Sequence, residues 1–202
     1  MTQSQENFNK SLVYIKRKGI ENLVNWLTSE TDFFTAPSSA IYHGNFEEGL
    51  LQHSLNVLSF ALNNFNYIVK RKPEYEYLRE SVVIAALFHD VCKTNYYVKQ
   101  NKWTKDENNK WKEYLGWTVA DTFPMGHGEK SIYLISKYIE LTESEVLAIR
   151  WHMGMYDISP TASNFTLNAY NQASSHPLVR IINSADSLTL IVEETVDYKN
   201  LH

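Results

Sequence analysis

Cysteine is nearly missing from the 202-residue chain. Cys92 stands alone, which excludes an internal disulfide framework and suits a reducing compartment, where such a residue is expected to pack rather than react. Excess charge of one sign is missing too. With 19 basic against 23 acidic side chains and a formal net charge of −4, no overall positive field exists to hold a long nucleic acid by its phosphates. A small anionic ligand would need local positive charge, which metal ions could supply. No uninterrupted apolar run approaches the roughly 18 residues of a membrane span, and the opening MTQSQENFNKSL carries no export signature. A cytoplasmic protein without a membrane partner is therefore expected. Pro/Gly/Ser linkers, internal repeats and low-complexity tracts are also absent, so one domain over residues 1–202 is expected. The 44% of hydrophobic and 13% of aromatic residues are ample for its core.

The pattern of what remains is mostly helical. Ile20, Leu23, Val24 and Leu27 recur at helical spacing and predict an N-terminal helix. DFFTAPSSAIYHGNFEEG, with Pro37, its serines and two glycines, predicts a loop feeding a helix from about Glu47 to Phe65. Between Tyr77 and His89 the run LRESVVIAALFH is apolar nearly all round, as a helix at the centre of a bundle would be, and it ends on His89 and Asp90. From Asn95 to about Asp121, aromatic and polar residues alternate around a DENN turn, which predicts an inserted β-hairpin. Ile132, Ile135 and Ile139, then Val146 and Ile149 behind a capping box of Thr142 and Glu145, predict two antiparallel helices. A polar loop from about Tyr156 to Ser175 is expected to lead to a last helix. There Pro177 sits in the first turn, and Leu178, Ile181, Ile182 and Ala185 form the buried stripe. The fold class expected is an all-α helical bundle with a small inserted β-hairpin.

The histidines fall on the apolar faces of these helices. His53 shares the stripe of Leu50, Val57 and Ala61; His152 follows Ala148 and Ile149; Asp186 follows Ile182 at four residues. A carboxylate on such a face is costly to bury without a positive partner. A divalent metal reconciles these demands, since helices in a bundle can each aim one imidazole or carboxylate at a shared point; Mn, Fe, Co, Ni, Zn or Mg would serve. Adjacent His89 and Asp90 can both reach that point only if their helix ends or distorts there. Taken singly, each histidine is more often a hydrogen-bonded core residue, and Asp186 could equally cap its helix or pair with Arg180. The ordered set, not any member, carries the metal reading.

That order, His53, then His89-Asp90, then Asp186, in the contexts LFHDVCK and INSADSL, resembles the HD superfamily of metal-dependent phosphohydrolases over about Ala36 to Leu190. His127 in MGHGEKS and His152 in IRWHMG lie between the HD pair and the final aspartate, similar to the HD subgroups that bind two metals. The resemblance implies one cation on His53, His89, Asp90 and Asp186, and a second on His127 and His152 with Asp90 as bridge. The segment FFTAPSSAIYHGNFEEGLLQH also resembles phage and bacterial HD hydrolases and the HD domain of a 3′–5′ exoribonuclease family. The OB-type domain of those exoribonucleases is not expected here, because the segment ahead of Ala36 is too short for it. The hairpin takes its place as the distinctive feature, which favours a small substrate over a polymer. The Gly-Tyr-Pro signature of HD proteins acting on cyclic dinucleotides is not found.

The activity implied is cleavage of a phosphate ester, first of all a nucleotide, by metal-activated water. Asp90 and Lys93 are the catalytic candidates. Lys93 would meet a phosphate or the leaving oxygen, with a solvated helix-end lysine as the plain alternative. His43 and Lys130 are expected on the surface rather than at the site mouth. Tyr96, Tyr97, Trp103, Trp111, Tyr114 and Trp117 could stack a nucleobase, though such residues more often hold a hairpin together by cross-strand pairing. Three alternatives stay open: a di-iron oxygenase with the same six ligands, a 3′–5′ exonuclease or phosphodiesterase on short nucleic acid, and a binding module with structural metal. The oligomeric state is not legible.

Overall fold

The computed structural model describes residues 1–199. Helix α1 (Gln3–Ser11) starts at Thr2, whose hydroxyl accepts from the Gln5 amide while the Gln5 side chain accepts from the Thr2 amide. Nothing in the apolar spacing predicted it, because Phe8 is its one buried large side chain. Helix α2 (Ile20–Ser29) follows, as its spacing predicted. Its N-cap is Gly19 at φ +93°, where an added Cβ would lie 2.0 Å from the Tyr138 carbonyl oxygen, so both backbone conformation and space require glycine.

Helix α3 (Gly49–Val69) buries Leu50, His53, Val57, Ala61 and Phe65 along one stripe. Helix α4 (Arg79–Phe88) is buried at every residue from Ser81 to Phe88, the central position its all-round apolar sequence predicted. Strands β1 (Tyr97–Lys105) and β2 (Trp111–Val119) form the hairpin, antiparallel, with Tyr97 opposite Val119 and Lys105 opposite Trp111. The Asp106 carboxylate closes its turn by accepting from the amides of Asn108 and Lys110.

Helices α5 (His127–Ile135) and α6 (Glu143–Arg150) come next, α6 with the expected capping box of Thr142 and Glu145. The stretch 156–175, expected as a loop, instead contains helix α7 (Asn164–Ala173). Ser163 caps it through the Thr166 amide, and Tyr170 tilts against Trp151 at 5.5 Å between ring centroids. Only Ala173 of its residues is fully buried, so no apolar stripe announces it. Helix α8 (Pro177–Thr189) carries Pro177 at its start and buries Leu178, Ile181, Ile182 and Ala185 as predicted.

In the core α3 lies against α4 and α8, α6 packs on α4 and α8, and α5 packs on α6. The rings of Phe33, Phe34 and Phe88 surround Phe8 at 5.3–6.2 Å and fasten α1 to this core. A buried ion pair adds a strut. Arg17 donates to both oxygens of the fully buried Glu145 at 3.0 and 2.9 Å, and Ser81 of α4 donates to the same carboxylate at 2.7 Å. α6 and α4 are thereby tied together, and the ends of α3, α4, α6 and α8 are left to meet at one point.

Candidate metal centre

The end of α4 explains how two consecutive side chains reach that point. Phe88 is its last helical residue and His89 its C-cap; Asp90 leaves the helix at φ −107°, ψ 18°, and a tight turn over Val91–Lys93 follows. Helix α3 contributes His53 and α8 contributes Asp186. His152 lies just past α6, where Asn183 of α8 donates to its carbonyl at 2.7 Å. His53, His89, Asp90 and His152 are buried, and Asp186 is 16% exposed.

Their ligand atoms converge. His53 Nε2 is 3.1 Å from His89 Nε2, 3.4 Å from Asp90 Oδ2 and 3.3 Å from Asp186 Oδ1. His89 Nε2 is 3.5 Å from Asp90 Oδ2, and His152 Nε2 is 3.5 Å from Asp90 Oδ1. The His89 and His152 rings are 4.7 Å apart. His53, His89 and Asp90 offer atoms that all lie within 4.8 Å of one another.

The other ring nitrogen of each imidazole has a partner. His53 Nδ1 donates to Glu193 at 3.0 Å, His89 Nδ1 to the Ala86 carbonyl at 2.9 Å, and His152 Nδ1 to the Ile149 carbonyl at 2.8 Å. Each Nε2 is therefore left with a lone pair aimed inward, toward two carboxylates. Acceptors facing acceptors in a buried space need a cation or extra protons between them, and among the described residues His152 Nε2 has no hydrogen-bond partner. Three oriented imidazoles with their outer N–H groups held, plus two carboxylates, form a donor set that fits a divalent cation.

Electrostatics point the same way. Burial opposes charge on His53, but hydrogen bonds to Asp186, Asp90 and Glu193 outweigh it and raise its pKa well above the ordinary value. Burial lowers that of His89. For His152 burial is again outweighed, by Asp90, and the pKa rises. Burial alone would push Asp90 up, yet Lys93 and His89 hold it well below the usual carboxylate range, and His53 does the same for Asp186. A positive charge suits this centre, and the carboxylates around His53 favour a proton on its ring.

The remaining candidates fall around this cluster. Lys93 is not a solvated lysine: 13% exposed, it places Nζ 2.6 Å from Asp90 Oδ2. His127, first residue of α5, is not drawn into the group of His53, His89 and Asp90; its Nδ1 lies 3.5 Å from Cys92 Sγ, which is 3.9 Å from Asp90 Oδ1. His43, expected on the surface, is half-buried with its ring 5.7 Å from that of His53. Lys130, also expected on the surface, is buried, 2.5 Å from Asp121 and over the Tyr96 ring at 5.1 Å. Both corrections have one cause: hairpin, loop and tail fold over helix ends that a one-dimensional pattern leaves open.

In the hairpin, Trp103 faces Glu113 and Trp111 faces Lys105. Lys99 lies over Trp117 and Lys105 over Trp111. Trp103 and Trp111 are exposed, whereas Trp117 is buried. Glu193 escaped the sequence reading, because it lies past the last helix in no motif or periodic stripe.

A family model for the HD domain matches residues 50–191. Over 89 residues the chain is 27% identical to a dihydroneopterin 2′,3′-cyclic phosphate phosphodiesterase of Methanocaldococcus jannaschii, a match covering 44% of this chain and 35% of that one. The chain thus spans about a third of that relative's length. No solved structure matches. The family match runs from α3 to just past α8 and takes in His53, His89, Asp90, His127, His152 and Asp186. With more than half its length inside that match and its helices meeting at the histidine-aspartate pair, the chain belongs to the HD domain family.

Proposed function

We propose that the protein is a metal-dependent phosphohydrolase that cleaves a phosphate ester, of a nucleotide in the first instance. The observation that carries this is the buried convergence of three imidazole Nε2 atoms on Asp90 and Asp186, with His152 Nε2 lacking a hydrogen-bond partner among the described residues. His53, His89, Asp90 and Asp186 would hold one cation; Asp90 and His152, with His127 on the flank beyond Cys92, would hold a second. A divalent cation, when bound, supplies Lewis-acid charge for phosphate oxygens and makes water acidic enough to be deprotonated near neutral pH.

The chain's own residues do the rest. Lys93 keeps Asp90 ionised and sets an ammonium beside the centre, where it offsets negative charge building on the leaving oxygen. The exposed faces of Trp103 and Trp111, flanked by Lys105, suit a base, and an aromatic platform contributes about 1–3 kcal/mol per stacked base. The bond class draws support from the archaeal relative, whose name describes a phosphodiesterase acting on a 2′,3′-cyclic phosphate.

The test is phosphate or phosphomonoester release from a panel of nucleotides and 2′,3′-cyclic nucleotides, with Mn²⁺, under anaerobic conditions. Turnover that disappears in His89→Ala and Asp90→Ala together with bound metal is the expected outcome. Strict oxygen consumption with iron in place of hydrolysis would overturn the reading in favour of an oxygenase.

A further inference from the structure

Glu193 is a buried carboxylate outside the HD pattern; the family match ends at Ile191, two residues before it. Its side chain is 5% exposed, and among the described residues no lysine or arginine ion pair accounts for it. The groups that meet it are His53, whose Nδ1 lies 3.0 and 3.2 Å from its two oxygens, Asn56, whose amide donates at 3.1 Å, and His43 at 3.9 Å. His53 and Asn56 stand three residues apart on one face of α3 and grip the same carboxylate.

The segment that carries Glu193 is itself fastened. Gly44 donates its amide to the Glu194 carbonyl at 2.8 Å, and the buried side chain of Asn45 both donates to the Val196 carbonyl at 2.7 Å and accepts from the Val196 amide at 2.6 Å. Close approach makes this possible: a Cβ on Gly49 would sit 1.9 Å from the Gly44 carbonyl oxygen, so glycine lets the loop fold flat onto the start of α3. The strap fixes the Glu193 carboxylate behind the His53 ring, on the Nδ1 side away from the centre.

We infer that Glu193 is a positioning residue for metal binding: by accepting the Nδ1–H of His53, it fixes the tautomer and ring orientation that point Nε2 at His89, Asp90 and Asp186. This rests on the metal-centre reading above. A carboxylate behind a ligating imidazole also makes the ligand more basic, and losing such a partner costs roughly 10–100-fold in metal affinity. Glu193 is not itself a ligand of that centre, because both its oxygens face the opposite ring nitrogen.

The experiment is titration of the metal-stripped full chain with Mn²⁺ by calorimetry, in wild type, Glu193→Ala, Glu193→Met and Glu193→Gln, alongside ¹⁵N NMR of the histidine ring nitrogens in the metal-free protein. Glu193→Gln keeps the shape and an amide oxygen able to accept the Nδ1–H, and Glu193→Met keeps the length with no strong acceptor should the alanine variant fail to fold. The expected result is affinity about 10–100-fold weaker in Glu193→Ala and Glu193→Met and a smaller loss in Glu193→Gln, with a changed Nδ1 signal for His53 and an unchanged circular dichroism spectrum. Wild-type-like affinity in Glu193→Met, with the His53 signal unmoved, overturns the inference while leaving the metal centre standing. A wild type that takes up no Mn²⁺ removes the metal centre and this inference together.

Discussion

Asp90 shows how much one position is asked to do. It is buried, lies 2.6 Å from Lys93 Nζ and within 3.5 Å of three imidazoles, and is the carboxylate both proposed cations would share. Asp90→Asn keeps its size and removes its charge, leaving Lys93 opposite a neutral amide. The expected outcome is loss of bound metal and a fall in turnover of roughly a hundredfold or more, read by elemental analysis and phosphate release; wild-type metal content would break the assignment. Cys92 makes a second claim at this scale. Burial and the Asp90 charge push its thiol up to about 12, so the reactive thiolate is scarce near pH 8. Iodoacetamide at pH 8 should leave the folded protein unmodified and label it after denaturation, and rapid native labelling would contradict this burial. His53, His152 and Asp186 were legible as candidates because polar residues in apolar stripes demand a partner. Glu193 was not, because a carboxylate on an irregular segment looks like any surface acid until the strap is seen to fold back.

Among elements, the hairpin and the buried strut lend themselves to test. Double replacement of Trp103 and Trp111 by alanine removes exposed faces that pack on no core. If they stack a substrate base, KM should rise about tenfold, in line with 1–3 kcal/mol per stacked base, while the melting temperature stays put. An unchanged KM would make them hairpin surface only. Arg17→Ala strips the fully buried Glu145 of its cation and should cost about 3 kcal/mol, toward the low end for a broken buried pair because Arg17 keeps part of its side chain in water. Urea unfolding measures it, and a change under 1 kcal/mol would show that water or Ser81 satisfies the carboxylate. The capping box at Thr142 was readable in the sequence, but the same Glu145 also receiving Arg17 from far along the chain was not. Helices α1 and α7 were missed for a related reason: each is held by a cap and a few aromatic contacts rather than by an apolar stripe. α4 was legible because burial on all sides leaves the opposite mark, a run with hardly a polar residue.

For the whole molecule, proton and metal compete for one hole, and this sets how stability responds to pH. In the metal-free protein the raised pKa of His53 gives stabilisation that is fully present below the ordinary histidine value of about 6.5 and lost as pH rises through its folded-state value. The depressed Asp90 and Asp186 work in the other direction: their contribution is present above the ordinary carboxylate value of about 4 and fails only as pH falls below it, outside the working range. Raising the pH from 6 to 8 therefore draws down the His53 contribution to the metal-free fold, because the unfolded chain gives up its histidine proton first. A ligand at a hundred times its Kd adds about 2.7 kcal/mol, which for a chain of this size is a melting shift of roughly 5–10 °C. The gap between Mn²⁺-loaded and EDTA-treated melting temperatures should accordingly widen from pH 6 to pH 8, measured by differential scanning fluorimetry. A gap that stays level or narrows would mean that His53 holds no displaceable proton, and that the four helix ends are gathered by something other than a shared need for positive charge.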